Sequence, residues 1–177
     1  MNPMETYFNK FPEKRPPMPH TALWRGYVAT FEIIQNELWV IDIEKYESEI
    51  IDGKYSSKYV SIINQCLDGK DRMKVDWFNG LLVLPQGELV DYVHMGYGST
   101  YEYYTLIEIE NGNYLREFNL NNEQYTKYRN AQYEIYKRTE EYREIFDQLN
   151  DGTMPEEMLE YFIKIYGIEY MTKELEE

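Results

Sequence analysis

Short runs rich in aromatic, β-branched and other apolar residues recur between Ala22 and Phe118, and from Asn121 onward the apolar period changes to about 3.6. The first region reads as strands. Residues 24–33 and 38–43 are rich in aromatic and β-branched types around the polar turn Gln35-Asn36-Glu37, which predicts a hairpin. In the second of these, Leu38, Val40 and Asp42 alternate with Trp39, Ile41 and Ile43, so both faces are largely apolar and the strand should be covered on both sides. Residues 44–58 are charged and contain Asp52-Gly53, fitting a loop or a short extra strand. Tyr59, Ile62, Ile63, Cys66 and Leu67 follow helical spacing, with Ser56 or Ser57 as cap and Gly69 as stop. Leu81–Leu84 and Leu89–Val93 flank Pro85-Gln86-Gly87-Glu88, which suits a type II turn. A third hairpin is expected between 104–109 and 114–118, because Asn111-Gly112 accommodates the positive φ angles of a tight turn.

The helical region starts at an Asn121 or Asn122 cap and is predicted as one helix over 122–149. Its core stripe is Tyr128, Ala131, Ile135, Tyr142, Ile145, Phe146 and Leu149. Tyr125, Tyr133 and Tyr136 fall off that stripe, so they could form a partner surface or a homodimer seam, or pack on a neighbouring element. Asn150-Asp151-Gly152 breaks the pattern, and Thr153-Met154-Pro155-Glu156 reads as a capping box that opens a last helix burying Met158, Leu159, Phe162 and Ile163 and stopping at Gly167. The expected fold is α+β: an antiparallel sheet of about six strands, one inserted helix and a C-terminal helical pair. Five of the seven prolines lie in residues 1–20, so 1–21 is expected to be an extended arm, 22–120 a β-rich domain and 121–177 a helical region packed on it.

Composition narrows the function classes. The chain has 177 residues and a net charge of −14, with 19 tyrosines. Residues 1–26 carry +2, residues 27–120 carry −9 and residues 121–177 carry −7, so the negative charge covers the body and is not confined to a tail. Direct nucleic-acid binding is disfavoured, because phosphates require basic patches. A basic protein partner fits better, although plain solubility accounts for the same charge. Exposed tyrosines would suit such a contact, since each offers area at small entropic cost. Cys66 is the single cysteine, which rules out an intramolecular disulfide and fits a reducing compartment. No apolar run reaches membrane-spanning length and no signal-peptide pattern opens the chain, so a soluble, cytoplasmic protein is expected.

The densest functional signal is His94-Met95-Gly96-Tyr97-Gly98-Ser99. Glycines on both sides of Tyr97 allow consecutive N–H groups to form an anion nest, with the Ser99 hydroxyl and His94 as further donors. The alternative is a turn with His94 as a satisfied edge residue. The stretch has neither the lysine of a phosphate loop nor the glycine fingerprint of dinucleotide folds. In Trp24-Arg25-Gly26-Tyr27, Arg25 and Tyr27 could hold a planar anion, or Arg25 could stack on Trp24. Two histidines and one cysteine make a structural zinc site very unfavourable, and neither a metal nor another cofactor is expected.

The runs Trp24-Arg-Gly-Tyr, Pro85-Gln-Gly-Glu-Leu and His94-Met-Gly-Tyr-Gly-Ser, within residues 22–110, resemble those of small uncharacterised bacterial or phage proteins. The resemblance implies a prokaryotic or mobile-element origin and transfers no activity. Three functions stay open on sequence grounds. The first is a non-enzymatic acidic binding protein of inhibitor or immunity type that occludes a basic site on a protein. The second is a module holding a nucleotide-like anion at Arg25, Tyr27, His94, Tyr97, Gly98 and Ser99. The third is a small hydrolase or transferase using His94.

Overall fold

The computed structural model describes residues 3–94 and 98–166. It is α+β, with five α-helices and a mostly antiparallel sheet of seven strands among the described residues. The strands are β1 (Val28–Ile34), β2 (Glu37–Ile51), β3 (Lys54–Ser61), β4 (Met73–Lys74), β5 (Gly80–Asp91), β6 (Thr100–Glu110) and β7 (Asn113–Asn121). Their order is β1-β2-β7-β6-β5, with β3 and β4 also pairing with β2. The helices are α1 (Met4–Lys10), α2 (Ile63–Cys66), α3 (Asn122–Tyr136), α4 (Glu140–Leu149) and α5 (Glu156–Tyr166). The chain divides into two compact units.

One unit holds Asn2–Phe78 and the hairpin tip Ile109–Tyr114. The extended arm expected at its start is instead partly helical. Met4, Tyr7 and Phe8 recur at helical spacing and all three are buried, so α1 contributes to the core in spite of the prolines around it. The β1–β2 hairpin closes on Gln35 and Asn36, both at positive φ, as a twist-matched two-residue turn requires. Between Thr30 and Phe31 the register slips, so that β2 carries one extra residue, Ile41. That bulge reverses the alternation of β2: Leu38 and Val40 are buried, and so is Ile43. The apolar character of both faces thus marks a change of phase.

The charged stretch 44–58 belongs to a long hairpin of β2 and β3 that turns at Asp52-Gly53, with eight residue pairs from Glu44↔Ser61 to Ile51↔Lys54. Strand pairing therefore claims Ser56, Ser57 and Tyr59, and α2 is reduced to one turn. Ile62, Ile63, Cys66 and Leu67 remain buried as the spacing implies, while Tyr59 is exposed. Burial pushes the Cys66 thiol above its ordinary pKa, which makes it a packing residue.

The other unit holds Asn79–Glu108 and the chain from Leu115 on. Here β5 runs unbroken through Pro85-Gln86-Gly87-Glu88, where the sequence predicts a turn. Proline lacks an N–H and is tolerated in a strand that ends the sheet order, which is the place of β5. The expected long helix is two helices. Thr139 caps α4 by accepting from Tyr142 N at 3.2 Å, and α3 is opened by a capping box in which Asn121 and Gln124 each accept the other's backbone N–H. Because the helix restarts at Thr139, the phase of α3 is not that of α4. The buried face of α3 is Gln132, Tyr133 and Tyr136, of which the two tyrosines join Tyr142, Leu159 and Ile163 in one core. No helix among the described residues is long and apolar enough to cross a membrane.

Candidate functional site

The structure brings Arg25 and Tyr27 together, on a carboxylate of their own chain. Glu5 lies in the first turn of α1 and accepts two hydrogen bonds from Arg15 Nη2, at 3.1 and 2.9 Å, and one from the Tyr27 hydroxyl at 3.0 Å. Arg25 Nε is 3.5 Å from the same carboxylate, and its guanidinium lies 4.4 Å over the Trp24 ring. Burial, with Glu5 adding to it, pushes the Tyr27 phenol far above its ordinary pKa. The arginine and tyrosine proposed for an external anion are therefore already partnered by Glu5. Glu5→Gln should cost about 2 kcal/mol in urea unfolding, since bonds to a charged group are worth roughly 1.5–3 kcal/mol and this carboxylate is only partly shielded. An unchanged midpoint would show that the cluster contributes no stability.

The 94–99 loop belongs to the other unit. Tyr97 lies outside the described residues, as do Met95 and Gly96, and Gly98 is half-buried. His94 is exposed, with Nδ1 2.8 Å from the Tyr92 hydroxyl. The Ser99 hydroxyl accepts from Val93 N at 3.1 Å and donates to Val93 O at 3.2 Å, closing the base of the loop with the groups a ligand would need.

The three off-stripe tyrosines do not form an exposed seam. Tyr133 and Tyr136 are 3% and 1% exposed. Tyr142 meets both rings edge-on, and the Tyr133 hydroxyl donates to Glu160 O at 3.0 Å. Tyr125 is half-buried and stacks on Tyr104 with ring centroids 3.8 Å apart. Their placement follows from the helix break at Thr139, since a single phase drawn across 122–149 sets these rings on the wrong face.

Two other surfaces of this unit carry exposed functional groups. The first is β5, in which every residue from Leu84 to Asp91 is exposed. Leu84, Leu89 and Val90, with Tyr92 just beyond, are 42–65% exposed. Within this unit, strands β5–β7 contain five carboxylates, Glu88, Asp91, Glu102, Glu108 and Glu117, against one cation, Arg116, which pairs with Glu108. The second is a row of uncharged side chains across the same strands. Gln86 on β5 donates to the Thr105 hydroxyl on β6 at 3.1 Å, and Thr105 donates to Asn119 Oδ1 on β7 at 2.7 Å. Sequence reasoning misses this row because the local pattern around Gln86 reads as a turn. The visible signal is the carboxamide run Asn119, Asn121, Asn122 and Gln124.

The described residues contain no group of three or more His, Cys, Asp or Glu side chains placed to hold a metal ion. No family model matches the chain, and neither the curated proteins nor the solved structures include a match.

Proposed function

We propose that this chain is a non-enzymatic acidic binding protein, of inhibitor or immunity type, which covers a basic site on a protein partner. The observation that supports this reading most is the exposed apolar edge of β5 within an acid-rich group of strands. Leu89 and Val90 are consecutive, so their side chains leave opposite faces of the strand, yet both are about half exposed. With Leu84 and Tyr92 they group exposed apolar side chains on β5 and just beyond it, and such grouping supports a partner that covers them. An outermost strand also offers backbone N–H and C=O groups to an added strand. The surrounding carboxylates select a partner segment that is basic as well as apolar, and steer its approach.

Native mass spectrometry of protein gently purified from its own host tests the reading. The expected result is a retained protein of higher isoelectric point, released as salt is raised, because the steering charges are screened. Val90→Ala should weaken that complex by about tenfold, the loss expected from one buried valine side chain, and leave the fold intact. A complex indifferent to both salt and Val90→Ala would overturn the proposal.

A further inference from the structure

The uncharged row across β5–β7 opens on a cavity of about 370 Å³. Its walls include Gln86, Tyr103, Thr105, Asn119, Asn121 and Gln124, and no charged side chain is among its lining residues. Such a lining is unusual in a chain of net charge −14, and it belongs to none of the sequence-derived sites. We propose that this cavity is a binding site for a neutral sugar ring.

Hydrogen bonds within the fold hold the amides in set orientations. Thr105 is 8% exposed and its hydroxyl is committed in both directions, accepting from Gln86 and donating to Asn119. That fixes the orientation of both carboxamides. The Gln86 oxygen is left to accept a hydrogen bond, and the Asn119 nitrogen to donate one, with only a long 3.4 Å contact to Glu117. The capping box commits the side-chain oxygens of Asn121 and Gln124 to backbone N–H groups, so each presents its NH₂ as a donor. Acceptor and donors thus stand together in one neutral recess. A sugar hydroxyl both donates and accepts, and adjacent hydroxyls on a ring match a set of fixed amides. Tyr103, a lining residue, is 55% exposed, and its ring offers an apolar face to the C–H side of a pyranose. Tyr104, another lining residue, is held rigid by its stack on Tyr125. The volume lies at the lower end of the range for small-molecule sites, roughly 300–1,000 Å³, which suits one or two sugar units.

Charge argues against the competing ligands. A phosphate or carboxylate would meet no cation in the lining and would face the carboxylates of β5–β7. A purely apolar ligand would strip water from four carboxamides without replacing their hydrogen bonds.

The test is an NMR titration of the whole chain, labelled with ¹⁵N, against glucose, galactose, N-acetylglucosamine and their disaccharides, with glucose 6-phosphate and adenosine for comparison. Saturable shifts are expected with at least one neutral sugar, confined to residues 86, 103–105 and 119–124 and to the four side-chain amides. Tyr103→Ala and Gln86→Ala should each weaken that sugar by about tenfold, the size of one lost stacking face or hydrogen bond. Tyr103 is exposed, so its variant keeps the fold even if Gln86→Ala does not. The proposal is overturned by an absence of saturable shifts with every neutral sugar, by binding indifferent to Tyr103→Ala, or by tighter binding of glucose 6-phosphate or adenosine.

Discussion

Tyr136→Ala should destabilise the C-terminal helices by about 4 kcal/mol, the range found when a large aromatic is deleted from a packed core. Tyr136 is 1% exposed and is the largest fully buried side chain among the described residues. It shares its core with four other buried residues of that described set, Tyr133, Tyr142, Leu159 and Ile163, drawn from three helices. Half-buried Val83, Tyr125, Tyr128, Ile145, Phe146 and Met154 pack against this cluster, and their partial collapse into the gap keeps the loss within that range. Far-UV circular dichroism in urea should show the helical signal lost at much lower denaturant. A loss under about 1 kcal/mol would mean that α3, α4 and α5 do not depend on one core, since even partial collapse rarely recovers so much. The variant also bears on the cavity, because α3 carries the capping box that orients Asn121 and Gln124.

Gly112→Ala is the second large effect, at about 3 kcal/mol. Gly112 forms the β6–β7 turn with φ +70°, and its two hydrogen bonds tie that turn down: it accepts from Leu38 N at 2.8 Å and donates to Phe78 O at 3.1 Å. A Cβ there would stand 2.6 Å from Val75 O and 2.9 Å from Asp76 Cα, both main-chain atoms that cannot swing aside. The left-handed conformation costs an alanine roughly 1 kcal/mol, and the forced displacement adds about 1–3 kcal/mol. Gly53→Ala supplies the control. It has a similar φ of +73° and nothing within 4 Å of an added Cβ, so only the conformational part should be lost. Urea midpoints for the two variants therefore separate turn geometry from close approach, and equal losses would show that the contact with Val75 is unimportant.

Some elements of this fold are legible in short stretches of sequence. Asn111-Gly112 marks a two-residue hairpin, and Asn121 marks a helix start, because each preference is decided within a few bonds. Local pattern misleads where distant residues outvote it. Pro85 resembles a turn until β5 is placed last in the strand order, where the missing N–H is tolerated. Tyr59 fits a helix until β3 pairs with β2. The break at Thr139 has a local sign, a threonine followed by two glutamates, but the apolar stripe drawn through it hides the change of phase.

The candidate sites divide along the same line. Arg25 and Tyr27 carry the right groups for an anion, yet only the folded chain sets Glu5 between them, 20 and 22 residues away. The Gln86–Thr105–Asn119 row joins three strands, and no stretch of sequence contains it. By itself, the sequence determined the α+β class, the hairpin at Asn111-Gly112 and the acidity of the body, since period, turn preference and charge are properties of neighbouring residues. Tertiary structure alone decided which tyrosines are buried, which arginines are already paired and which amides share a cavity. Those outcomes depend on strand order and on the packing of three helices, each settled by contacts between residues far apart in the chain.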